Sequence, residues 1–272
     1  MFSKIIHFSL FFFICTSSFS SNNTKFFGEF IQGGIVIGKN SLAKKVLLDN
    51  NELMLSDNGY FIFGFGRNHK KNSILKVIEK NTDEPTLHKI NVKKRNYKIE
   101  IIDGLPPKMV SPGPEILKKI KKDRLLIGNG LNKSLKSKIF PLSFIKPVEG
   151  RTSGVFGSQR ILNGIKKNPH GGMDIAAPVG TPIKSISDGK VFLAEKDLYY
   201  TGNLVIVGHG YGLKSMYMHM NDIYVKNGDL VKQGQEIGTV GMTGRVTGPH
   251  LHWNVYWNKI KIDPEILLLI SK

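Results

Sequence analysis

The chain has 272 residues, enough for two compact domains and a connection, and its 40% hydrophobic and 10% aromatic content can fill buried cores. A formal charge of +18 is spread unevenly: 23 Lys/Arg against 11 Asp/Glu in residues 21–142, and 15 against 10 in residues 143–272. Cys15 is the only cysteine, which excludes a disulfide framework and a cysteine-rich metal site; any metal must rest on histidine and carboxylate groups.

The first residues read as an export signal. Lys4 precedes an apolar run from Phe8 to Cys15, and Ser18 and Ser20 form a small-x-small pattern before Ser21. The run falls well short of the ~20 residues that a membrane span needs. A signal peptide over residues 1–20 is expected, and with it an exported protein of the periplasm or cell envelope. The basic charge then suits an anionic polymer or lipid head groups. Nucleic acid is not expected as a partner, since no nucleic-acid motif is present.

From Gly33 to Ile102 the pattern is short strands between turn residues. Gly34–Ile37, Lys45–Leu48, Tyr60–Phe65, Ile74–Ile78 and Tyr97–Ile101 are the clearest, with Asp57-Asn58-Gly59 and Asn81-Thr82-Asp83 as turns. This predicts a small β-sandwich over residues 21–103, a scaffold or docking module without a catalytic cluster. Pro106, Pro107, Pro112 and Pro114 interrupt it. Glu115–Ile127 then places Ile116, Leu117, Ile120 and Ile127 on one side of a helical period and four lysines elsewhere, so residues 104–142 are read as a helical linker.

Beyond Pro147 glycine becomes frequent and five of the eight histidines appear. Val191–Leu193, Leu204–Val207, Leu213–Met218, Glu236–Val240 and His250–Val255 look extended, predicting an antiparallel β domain over residues 143–272 with one face open as a groove. His170-Gly171-Gly172-Met173-Asp174 offers an imidazole and a carboxylate. His250-Leu251-His252 on a strand would aim both rings at one face. His219 ends another strand-like run. A catalytic zinc site takes three protein ligands and keeps one open position, so these five side chains are a plausible cluster, undivided by spacing alone. His209, between Gly208 and Gly210, reads as a turn residue, and His69 and His88 have no assigned role.

An ordered set of motifs resembles the lysostaphin-like, LytM-type zinc metallopeptidases that cut peptidoglycan. It comprises Gly154-Val155-Phe156-Gly157 with Arg160, His170…Asp174 leading into Ile175–Pro182, Asp188-Gly189-Lys190-Val191, Tyr217-Met218-His219-Met220, Val225–Gln235, and Thr243–His252. Gly64–Arg67 and Ile102–Pro106 are similar to the N-terminal β accessory domain of a Gram-negative subgroup. The resemblance implies a mostly β protein: a small N-terminal sandwich, a helical linker and an antiparallel LytM-type peptidase domain with an open groove. It implies one zinc ion on His170, Asp174 and His252, with His219 and His250 as catalytic histidines and peptidoglycan cross-links or stem peptides as substrate. Met220 departs from the aliphatic residue, often Leu, that usually follows the catalytic histidine. The alternative function is a non-catalytic regulator of another wall hydrolase, and a membrane or cell-division regulator is an expected partner class.

Overall fold

The structure is a computed structural model, and it describes residues 23–104, 113–137 and 140–270. The export signal expected at residues 1–20 lies outside the described residues. No helix among the described residues is long and apolar enough to cross a membrane.

The N-terminal strands are β1 (Lys25–Phe27), β2 (Ile35–Lys39), β3 (Ala43–Leu48), β4 (Asn51–Glu52), β5 (Tyr60–Gly64), β6 (Asn72–Glu79), β7 (Thr86–Asn91) and β8 (Ile99–Ile102). The first seven form two antiparallel sheets, ordered β1-β2-β5 and β4-β3-β6-β7. In β6 the alternation is regular: Ser73, Leu75 and Val77 are buried, and Ile74 is exposed. β2 and β5 do not alternate, for Ile35-Val36-Ile37 and Phe61-Ile62-Phe63 are all buried, the pattern of strands covered on both faces. Part of that cover comes from the far end of the chain. Ile262 lies against Gly64, Ile270 against Gly28, and both join one continuous core with Ile35 and Phe63.

β8 departs from the sequence expectation. Its hydrogen bonds go not to the sandwich but, in parallel, to a strand sixty residues later, β10 below, with Glu100 opposite Arg160. Ile99 and Ile101 are each 66% exposed on the other face, so the strand is held by backbone pairing rather than by apolar burial.

Helix α1 (Pro114–Asn132) is longer than its sequence pattern, with a proline in its first turn, where a missing N–H costs nothing. Its inner line also differs. Leu117 is exposed, whereas Ile120 is buried and Leu126, Ile127 and Leu131 pack on Leu193, Leu204 and Ile206. Gly130 allows that approach, since a Cβ there would stand 3.1 Å from Leu193 Cβ. Asp123 is buried because its carboxylate accepts the Tyr199 N–H at 2.8 Å.

The remaining strands are β9 (Arg151–Gly154), β10 (Gln159–Leu162), β11 (Ile165–Lys166), β12 (Met173–Ala176), β13 (Pro182–Lys184), β14 (Gly189–Leu198), β15 (Gly202–Gly210), β16 (Leu213–Ile223), β17 (Leu230–Val231), β18 (Glu236–Val240), β19 (His250–Trp257) and β20 (Ile260–Ile262). A sheet with the path β17-β14-β15-β16-β19-β12-β9, joined by β13, β18 and β20, dominates this antiparallel region. Helix α2 (Pro264–Leu269) closes the described chain; Asp263 caps it by accepting the Glu265 N–H and also takes a 2.7 Å ion pair from Arg95.

Candidate metal centre

Three neighbouring strands carry the site. Along β19 the odd residues Leu251, Trp253 and Val255 are fully buried in the core, while His250, His252, Asn254 and Tyr256 line a groove on the opposite face. The register sets Asp174 of β12 opposite His252 on one side, and Met218 of β16 opposite it on the other. His170 arrives from the turn before β12. Gly154 of β9 pairs with Asp174, and a Cβ there would collide with the Asp174 carboxylate, so this position has room only for glycine.

His219 reaches the groove by breaking the strand rule. Met216 and Met218 face the groove, and Tyr217 faces the core with no exposed surface, so strict alternation would send His219 into the core as well. The register between β15 and β16 slips between the pairs Val205↔Tyr217 and Asn203↔Met220, and His219 has φ of 64°. This bulge turns His219 into the groove and returns Met220 to the core at 0% exposure. An unbranched apolar side chain serves that buried position as a leucine would.

The ligand atoms converge. His170 Nε2 lies 3.0 Å from Asp174 Oδ1 and 3.0 Å from His252 Nδ1, and His252 Nδ1 lies 2.6 Å from Asp174 Oδ1. Each imidazole is anchored from behind. His170 Nδ1–H donates to the Val155 carbonyl at 2.8 Å, and His252 Nε2–H donates to Asn254 Oδ1 at 2.9 Å. Those acceptors fix the tautomers, so three lone pairs face one another in a buried setting. Such a set needs a cation or a shared proton, and two imidazoles with a carboxylate suit a metal of zinc's type. The residues present therefore fit a resident metal.

His219 and His250 stand beside this trio, their rings 5.0 Å apart. His219 Nδ1–H donates to the Thr243 carbonyl at 2.9 Å and His250 Nδ1–H to the Gly248 carbonyl at 2.8 Å, which leaves both Nε2 lone pairs free to take protons. Burial, followed by the charges of His252 and His250, pushes the His219 pKa down to about 3, so this imidazole is neutral near pH 7. Burial likewise lowers His252. For Asp174 burial acts upward, but when a shared proton rather than a cation lies between the three groups, hydrogen bonds and charge from His170 and His252 outweigh it and hold the carboxyl well below the usual range.

Asp174 uses its second oxygen too. Arg160 Nη2 donates to Oδ2 at 2.7 Å, while Arg160 Nε donates to Glu100 Oε2 at 3.1 Å. In the sequence Arg160 belongs to a motif without an assigned role, and Glu100 and Asn254 carry none. Only a long-range pairing reveals Glu100, whereas the two-residue spacing of Asn254 from His252 already placed it on the same strand face. Lys167, Tyr200, Arg245 and Lys261 complete the groove wall, and among the described residues every groove-lining position lies at Arg160 or later. Residues 23–104 are therefore not seated in the groove.

The other histidines do different work. His209 is not a turn residue: it lies inside β15, buried, between the Asp188 carbonyl at 2.9 Å, just before the neighbouring β14, and Ser215 Oγ of β16 at 2.7 Å. His69 meets Ser73 and the edge of Phe65, and His88 meets the edge of Phe26.

Comparison with known proteins agrees with this geometry. The model of Peptidase family M23 matches residues 168–264, which include His170, Asp174, His219, His250 and His252. That segment is similar to the peptidase domain of family M23. The peptidoglycan DD-endopeptidases ShyB and ShyC of Vibrio cholerae are 45% identical over 95 residues and 47% identical over 102 residues. These matches cover 35% and 37% of this chain but 22% and 23% of those proteins, so the chain spans about a quarter of the length of the curated relatives it matches. A crystal structure from Pseudomonas aeruginosa ascribed to peptidase M23 is 28% identical, with a TM-score of 0.67, covering 90% of this chain and 97% of that one. The M23 likeness thus extends beyond the catalytic strands into the N-terminal architecture.

Proposed function

We propose that this protein is an exported zinc endopeptidase that hydrolyses peptide cross-links or stem peptides of bacterial peptidoglycan. The carrying observation is the convergence of His170 Nε2, Asp174 Oδ1 and His252 Nδ1, with two further anchored imidazoles beside them. When bound, zinc supplies Lewis acidity and makes water nucleophilic at neutral pH. The chain's own groups supply the rest. His219 and His250 each hold a proton on Nδ1 against a backbone carbonyl and present Nε2 to the groove, so the pair can share proton transfer between nucleophile and leaving amine with stabilisation of developing charge, the neutral His219 suiting the less basic part of that work. Met216 and Met218 give the groove an apolar floor, while Arg245 and Lys261 add positive charge suited to the carboxylates of a peptide stem. Export to the periplasm, inferred from residues 1–20, would bring the groove to that polymer. The presence of all five histidine and carboxylate groups supports catalysis over a purely regulatory role.

The test is digestion of purified sacculi by the full chain, with and without chelator, followed by mass analysis of the products. Release of cleaved cross-links that chelation stops and added zinc restores is the expected result. Release unaffected by chelation, or none at any metal concentration, would overturn the proposal.

A further inference from the structure

We infer that Glu100, on a strand outside the matched family segment, is a positioning residue for the metal ligand Asp174 and acts through Arg160. The inference rests on the proposed metal site and adds a component of it that comes from the N-terminal part of the chain.

The geometry is a relay of three charged groups. Glu100 Oε2 accepts from Arg160 Nε at 3.1 Å, and Arg160 Nη2 donates to Asp174 Oδ2 at 2.7 Å. Backbone pairing sets this relay in register, because β8 runs parallel to β10 with Glu100 opposite Arg160, and the Gln159 N–H donates to the Lys98 carbonyl at 2.8 Å. Glu100 and Arg160 side chains are 29% and 28% exposed and Asp174 is 10% exposed, so the relay passes from half-buried to buried surroundings, where charge-assisted bonds are strong.

Two physical consequences follow. A guanidinium is a planar fork, and fixing its Nε edge on Glu100 fixes the direction of its Nη2 edge. Asp174 Oδ2 is thereby occupied, which leaves Oδ1 alone to face His170 and His252. The second consequence is charge. Arg160 stands one carboxylate away from the place a cation would take, and without Glu100 its positive charge would oppose that cation; the Glu100 carboxylate offsets it.

The same segment also braces the loop behind His170. Gly157 has φ of 85° and packs so closely on the Tyr97 ring that a Cβ would collide with it. Arg67 Nε donates to the Gly157 carbonyl at 2.6 Å, its guanidinium lies over the Tyr97 ring at 4.3 Å, and the Gly157 N–H donates to the His170 carbonyl at 2.9 Å. Val155, two residues earlier, holds His170 Nδ1. Two of the three ligands are thus oriented from residues 67–100, although no residue of that region lines the groove.

The test is a zinc titration of the full chain by competition with a chromophoric chelator, on wild type, Glu100→Gln and Glu100→Ala. Melting of the metal-free proteins is measured in parallel. Glu100→Ala should lower zinc affinity by about tenfold, the scale expected when a partner of a metal ligand is lost. Glu100→Gln keeps an acceptor for Arg160 but not the charge, and should fall between the two. The metal-free melting temperatures should agree, since β8 is held by backbone pairing. Equal zinc affinity in all three proteins would overturn the inference while leaving the metal site intact. A wild type that binds no zinc would instead sink the metal site. Affinity loss that tracks a fall in metal-free melting temperature would assign Glu100 a merely structural role and also overturn the inference.

Discussion

Residues 23–104 and 140–270 are built from the same materials, short strands with buried Ile, Val and Phe, yet only the second makes a site. In the first, buried Asn40 donates to Thr24 at 3.1 Å, buried Ser73 donates to the exposed Asp49 at 2.8 Å, and His88 Nε2, unpartnered among the described residues, faces no second ionisable group. In the second, His170, His252 and Asp174 bring acceptor to acceptor, and His219 is turned into the groove by a bulge. A fold tolerates converging lone pairs in a buried place only when something positive is to come between them. That contrast separates scaffold from chemistry more sharply than composition does.

The largest effect that would break the contrast belongs to His252. His252→Ala should abolish zinc binding and hydrolysis, whereas His88→Ala should change neither; metal content after dialysis, together with sacculus digestion, decides it. Next comes His219. His219→Asn keeps a residue tolerant of positive φ and should spare the metal while slowing cleavage by roughly 10²–10⁴-fold, the usual contribution of a proton-transferring group. Loss of metal in this variant would make His219 a ligand instead.

These two residues also mark what was readable in advance. The His-x-His pair was legible because a two-residue spacing on a strand fixes a common face. His219 was legible as a candidate but not as a groove residue, since the bulge that redirects it depends on pairing with β15. The major strands of residues 189–257 followed from apolar runs between glycines. The destination of β8 did not, because no local pattern in Ile99–Ile102 says which strand it will join. The inner face of α1 departs from its sequence pattern at Leu117 for a similar reason: the pattern contains several apolar lines, and the sheet selects the one ending at Gly130 and Leu131.

Smaller effects sharpen the scaffold side. Burial first of all lowers the His209 pKa to about 4, against about 6.5 in an unfolded chain. The unfolded state then binds the proton more readily, so this stability is fully present above pH 6.5 and is lost as pH falls towards 4. The loss is roughly 3 kcal/mol. Urea midpoints at pH 7 and pH 4.5 should show a smaller acid-induced drop for His209→Gln than for wild type; equal drops would contradict the assignment. The last effect concerns the seam between the regions. Asp263→Ala removes a helix cap and the partner of Arg95 and should cost about 2 kcal/mol in denaturant unfolding. Zinc affinity in that variant should stay at the wild-type value, because Asp263 does not belong to the relay through Glu100.

The central claim is that three named atoms share one metal. Diffraction from zinc-soaked crystals on both sides of the zinc absorption edge tests it most directly. A single anomalous peak bonded to His170 Nε2, Asp174 Oδ1 and His252 Nδ1 is predicted. A peak elsewhere, or none among these three atoms at saturating zinc, would contradict it.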